Sequence, residues 1–131
     1  MNIHKVKQII NAKVICGEDL LDLEVKMGCG CDLMSHILAH IESESTLLLT
    51  GLTTPQVIYA SDALGLKAIC FVRGKSPGDD VIKLAKERAI ILMNTQLPLF
   101  ESCGKLYKEG LKGISENEQR SEILKDSRTC L

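Results

Sequence analysis

Residues 45–76 constrain the fold more than any other part of the chain. They read Ser-Thr-Leu-Leu-Leu-Thr-Gly-Leu-Thr-Thr-Pro-Gln-Val, then a small-residue helical pattern, then Lys-Ala-Ile-Cys-Phe-Val-Arg-Gly-Lys-Ser. Two apolar runs each end in a polar, glycine-containing loop, with a helix of crossover length between them. Consecutive apolar residues in a strand imply burial on both faces, as at a sheet centre. The segment therefore predicts a βαβ unit whose two loops lie at the carboxyl ends of parallel strands, where open α/β sheets bind ligands.

The same alternation extends along the chain. Residues 3–10 predict a short amphipathic helix, 12–16 a short strand and 17–19 a turn. Residues 23–27 alternate Leu, Glu, Val, Lys, Met and predict a half-exposed strand. The glycines of residues 28–31 predict a flexible loop or bulge. Asp32 is the expected N-cap of a helix carrying Leu33, Met34, Ile37, Leu38 and Ile41 on one stripe. Pro55 sits at the expected first position of the crossover helix and Gly65 at its end. A helix from Asp79 or Asp80 follows, then a buried strand over 89–93. A last helix opens at Pro98, with Leu99, Cys103, Leu106 and Tyr107 inward. The expected fold class is α/β: a single-domain sandwich with a mainly parallel central sheet of about five strands, flanked by helices, with a mixed or antiparallel edge. The domain is drawn over residues 1–112, and residues 113–131 as a polar tail or frayed helix.

Composition narrows the function classes. A chain of 131 residues suits one domain. Aromatic residues are 3% and the formal charge is −1. That leaves neither a base-stacking platform nor a basic excess, so nucleic acid is not an expected partner. No apolar run approaches the roughly 18 residues of a membrane span. The expected location is the cytoplasm. There the six cysteines are expected as thiols, with Cys16, Cys70 and Cys103 at core positions.

Several phrases resemble the DRTGG domain: Cys31-Asp32-Leu33-Met34-Ser35, the segment 46–54, Val57-Ile58, Phe71-Val72-Arg73-Gly74, and the run 100–107. The resemblance covers residues 5–110. It implies a fold similar to the amino-terminal domain of HPr kinase/phosphorylase. It also implies a regulatory role, since such domains accompany CBS domains in some pyrophosphatases and occur within long-form phosphotransacetylases. The run 100–107 resembles stand-alone members associated with iron-hydrogenase gene sets. The chain departs from the family at its naming residues. Thr53-Thr54 replaces Asp-Arg, and Arg73-Gly74-Lys75 replaces Thr-Gly-Gly.

Two candidate sites emerge. Thr50, Gly51, Thr53 and Thr54 offer hydroxyls and backbone N–H groups before a helix start, and Arg73, Gly74 and Lys75 offer positive charge at the next strand end. Together they predict an anion site, and the family resemblance implies an adenine nucleotide as one such ligand. The same residues serve equally as a helix cap and a solvated turn. They are not a P-loop, which needs a glycine where Ile69 stands. The second candidate is a metal site of Cys29, Cys31, His36 and His40, two histidines at i and i+4 on a helix with two thiols in the preceding loop to complete a tetrahedral set, although Cys-x-Cys is not the usual spacing. A solvated helix face explains both histidines as well.

No catalytic residue is assigned, no cofactor is expected, and the chain is not expected to be an enzyme. The leading expectation is a non-catalytic regulatory module that senses an anionic ligand and acts through protein contacts, as a homodimer. The alternative is a metal- or redox-linked accessory protein partnering a hydrogenase or another electron-transfer complex.

Overall fold

A computed structural model describes residues 1–40 and 45–116, the side chain of His40 excepted. Its elements are α1 (Ile3–Ile9), β1 (Lys13–Cys16), a 3₁₀ turn (Glu18–Leu20), β2 (Met27–Gly30), α2 (Met34–His40), β3 (Thr46–Thr50), α3 (Pro55–Ala63), β4 (Ala68–Phe71), α4 (Asp79–Glu87), β5 (Ile91–Asn94), α5 (Leu99–Lys108), β6 (Lys112–Gly113) and a second 3₁₀ turn (Ile114–Glu116). Among the described residues, no helix is long and apolar enough to cross a membrane.

Six strands form one sheet in the order β1-β5-β4-β3-β2-β6. The pairs β2–β3, β3–β4, β4–β5 and β2–β6 are parallel, and β1 is antiparallel to β5. The α/β class and the mixed edge are as expected. The antiparallel partner of β1 is β5, at the far side of the sheet from β2.

The connections explain the layers. From β2 to β5 the chain steps across the sheet in one direction, and α2, α3 and α4 share one face. Their residues Ile37, Val57, Ile58, Val81 and Ala85 form one core with Leu48, Ile69, Phe71 and Leu92. The connection from β5 to β6 runs back the other way. A right-handed crossover in that direction requires its helix on the opposite face. There Leu106 of α5 joins α1 (Ile3, Val6) over Leu47, Leu49, Cys70 and Met93. β3 and β4 are buried at every position, as their unbroken apolar runs predict.

Several local readings are corrected. The strand expected over 23–27 is β2 at Met27–Gly30. Residues 23–26 are instead a connection whose ties include Val25 N–H to Met1 O at 2.8 Å. The glycines expected in a flexible loop lie within β2. A Cβ at Gly28 would stand 2.9 Å from Leu111 Cδ2, and one at Gly30 would stand 2.6 Å from Cys103 Sγ. The bare strand lets α5 and the chain after it pack close.

Asp32 does not cap α2. Leu33 O accepts from the N–H groups of His36 and Ile37, so the helix starts after Leu33. Leu33 and Leu38 are exposed while Ile37 is buried, because a narrow stripe of this short helix meets the core. Ile41 lies outside the described residues. In α5 the inward stripe is Leu99, Ser102, Cys103 and Leu106, with Cys103 half-buried. Tyr107 lies outside it and is 59% exposed. The boundary drawn after residue 112 falls within β6, which the sequence reading did not foresee. Residues 117–131, with Cys130, lie outside the described residues.

Candidate functional site

Open α/β sheets place ligands where neighbouring strand ends send their connections to opposite faces. Here that point lies between β4, which leads to α4, and β5, which leads to α5. The crevice is closed by the backbone. Arg73 N–H donates to Leu97 O at 2.9 Å and Gly74 N–H to Thr95 O at 2.8 Å. Asn94 Nδ2 donates to Ser76 Oγ at 3.0 Å. A Cβ at Gly74 would meet Gln96 Oε1 at 2.6 Å. These contacts tie the two loops together, and Gly74 is part of the closure.

Closing the seam redirects Arg73. Its φ is 60°, the left-handed region that a long side chain seldom adopts. The turn aims the guanidinium across β3, where it covers Gly51 closely enough that a Cβ there would overlap it. Nη2 lies 3.7 Å from Asp32 Oδ2, with Arg73 52% and Asp32 41% exposed. Asp32 Oδ1 accepts from Gly51 N–H at 2.6 Å and from the Thr50 hydroxyl at 3.2 Å. The Thr50 hydroxyl in turn accepts from Leu52 N–H at 3.1 Å. The strand ends of β2, β3 and β4 thus meet in one polar cluster: Asp32, Thr50, Gly51 and Arg73.

Of the residues expected in an anion site, Thr50, Gly51 and Arg73 are brought together. Thr54 stands at the N-cap of α3, but its hydroxyl makes no capping hydrogen bond. Thr53 is half-buried in the same loop. Lys75 is exposed beyond the seam, its N–H bonded to Val72 O at 3.2 Å. Asp32 was missed as a site residue. A carboxylate before an apolar helix reads as a cap, and its partners lie 18 and 19 residues ahead.

The cysteine–histidine set is arranged differently. Cys29 is buried in the core, and burial pushes its thiol up to about 11. Cys31 Sγ accepts from Leu33 N–H at 3.4 Å, holding the turn into α2. His36 is exposed on that helix, and the side chain of His40 lies outside the described residues. Among the described residues, no group of three or more His, Cys, Asp or Glu side chains gathers as metal ligands would.

A separate apolar groove of about 340 Å³ runs between α5 and the β2–β6 edge, lined by Gly28, Gly30, Leu49, Phe100, Cys103 and Leu111 among others. Phe100 stands at it 87% exposed.

No protein-family profile matches this chain, and no curated protein matches it. Among solved structures, it is similar to the CBS and DRTGG domains of the regulatory region of Clostridium perfringens pyrophosphatase, in a complex with the activator diadenosine tetraphosphate. The TM-score is 0.63 at 14% identity, over 80% of this chain and 45% of that one. The chain thus spans less than half of its structural neighbour. The likeness is one of fold, and it supports the DRTGG-like fold expected from the sequence.

Proposed function

We propose that this protein is a non-catalytic regulatory module whose polar rim over β3 binds the phosphate of an anionic ligand, an adenine nucleotide foremost. The observation that carries the reading is Arg73. Its left-handed backbone costs on the order of 1 kcal/mol or more, and such strain gathers where a side chain must be aimed. What it aims is a half-exposed guanidinium laid over the bare backbone of Gly51. A phosphate oxygen there meets a fixed positive charge and a β-loop N–H, the pairing that anion sites use. The start of α3, with the hydroxyls of Thr53 and Thr54, adjoins the same loop and adds the positive end of a helix. The structural neighbour is a regulatory region bound to a nucleotide activator, which favours a regulatory reading.

The rim is poorly equipped for turnover. Among the described residues, its hydroxyl–carboxylate contact joins Thr50 to Asp32. That hydroxyl is fully buried and bonded on both sides, so it cannot reach a substrate as a nucleophile must.

Thermal denaturation with ATP, ADP, AMP and diadenosine tetraphosphate tests the reading. A ligand at 100 times its Kd stabilises by about 2.7 kcal/mol. At least one is expected to raise Tm in the wild type and not in Arg73→Ala. No shift with any of them at millimolar concentration defeats the nucleotide assignment.

A further inference from the structure

The anion site already has an occupant. Three groups from two loops converge on one carboxylate: Gly51 N–H at 2.6 Å, the Thr50 hydroxyl at 3.2 Å and the Arg73 guanidinium at 3.7 Å. A phosphate oxygen requires two of these donors, the Gly51 N–H and the Arg73 guanidinium, and two anions cannot share them at this range without strong mutual repulsion. We infer that Asp32 is an internal stand-in for the ligand, and that a phosphate group binds by displacing it and releasing the turn into α2. This inference rests on the anion-binding reading of Arg73 and Gly51.

The exchange is favoured by how loosely Asp32 holds its charge partner. The contact to Arg73 is long and open to water on both sides, a geometry that contributes little in an ion pair. A guanidinium offers five N–H donors in a planar fork, and a phosphate engages that fork in a bidentate manner. The polyanion gains more from Arg73 than the carboxylate does.

Displacement has a mechanical consequence. Asp32 lies between Cys31, whose Sγ holds Leu33 N–H, and Leu33, whose carbonyl accepts the first hydrogen bonds of α2. α2 has seven residues, and Ile37 is its one fully buried apolar side chain among those described. A helix anchored so lightly depends on the turn that precedes it. Phosphate arriving over β3 is thereby converted into altered order at α2, which packs on α3.

Linkage sets the expected signs. A ligand that must first evict a competitor binds with an affinity reduced by the fraction of free sites. Asp32→Asn keeps an oxygen for Gly51 N–H but removes the competing charge. Calorimetric titration with tripolyphosphate, ATP and adenosine separates the phosphate from the base as the recognised group. Tripolyphosphate and ATP are expected to bind and adenosine not to. Asp32→Asn is expected to bind tripolyphosphate about fivefold tighter, and Arg73→Ala at least about tenfold more weakly. In the wild type, amide hydrogen exchange across residues 33–39 is expected to speed up on saturation with tripolyphosphate.

If Arg73→Ala weakens binding while Asp32→Asn leaves it unchanged or weaker, the site stands and Asp32 is not its occupant. Binding that ignores Arg73, or no binding of tripolyphosphate or ATP, overturns both readings. The exchange measurement uses wild-type protein and so decides even where Asp32→Asn does not fold. Unchanged exchange at residues 33–39 on saturation overturns the displacement.

Discussion

Gly30 of β2 and Cys103 of α5 occupy space that only one side chain can fill. A Cβ added at Gly30 would lie 2.6 Å from Cys103 Sγ and 3.1 Å from Leu99 Cδ1. This explains Gly30 inside a strand, where glycine otherwise weakens pairing. It also explains how α5, nearly straddling β2 and β3, seats Leu106 in the core.

Gly30→Ala is therefore expected to destabilise the protein by about 1–3 kcal/mol, the range for overpacking a close interface. Combining it with Cys103→Ala is expected to recover a large part of the loss, because the sulfur is the nearest obstacle. Urea denaturation of the two single variants and the double variant measures the coupling. Additive losses would show that the contact is not the cause.

Ser61 is fully buried in α3, and its hydroxyl has no hydrogen-bond partner. A buried polar atom left unpaired costs about 1–3 kcal/mol relative to its solvated state. Ser61→Ala removes that cost at the expense of one small atom and suits a helix better. It is expected to be neutral or to stabilise by up to about 1 kcal/mol. A lowered denaturation midpoint would mean that the hydroxyl is satisfied in solution.

The thiols give a pH signature. Burial pushes Cys70 up to about 12 and Cys29 up to about 11, from an ordinary 9.0. Cys16 and Cys103 are raised as well, chiefly by burial. A folded-state value above the unfolded one means that the unfolded chain loses its proton first as pH rises. Stability is then intact below about pH 9 and declines as pH climbs toward the folded values. Denaturation midpoints at pH 8, 9.5 and 10.5 are expected to fall in that order. Replacing Cys70 with Ala is expected to flatten the decline, though at a cavity cost at every pH. At pH 8, a thiol reagent is expected to modify Cys31, which is half-exposed, well before Cys29 or Cys70.

What could be read from the chain follows from how local each signal is. The βαβ unit of β3, α3 and β4 was legible because an unbroken apolar run, a proline at the first helical position and a glycine past the last are all written within a few residues. The α/β class followed, since alternating strands and helices admit few other packings. β2 was not legible. Gly30 is required by a helix some 70 residues later and Gly28 by Leu111 beyond that helix, so a strand adapted to its neighbours looked like a flexible loop. β6 has two residues, too few to show any period.

The candidate site divides in the same way. Thr50, Gly51 and Arg73 could be nominated because strand ends in a parallel sheet must lie side by side. By itself the sequence determined the two central strands, the crossover between them and the loops that end them, since these depend on short-range pattern and burial. Tertiary structure alone decided that the β4–β5 seam is sewn shut by backbone hydrogen bonds, that Arg73 turns over Gly51, and that Asp32 supplies the opposing charge. Those outcomes depend on how three strands align at one edge, and an ion pair between residues 32 and 73 leaves no trace in the spacing of either.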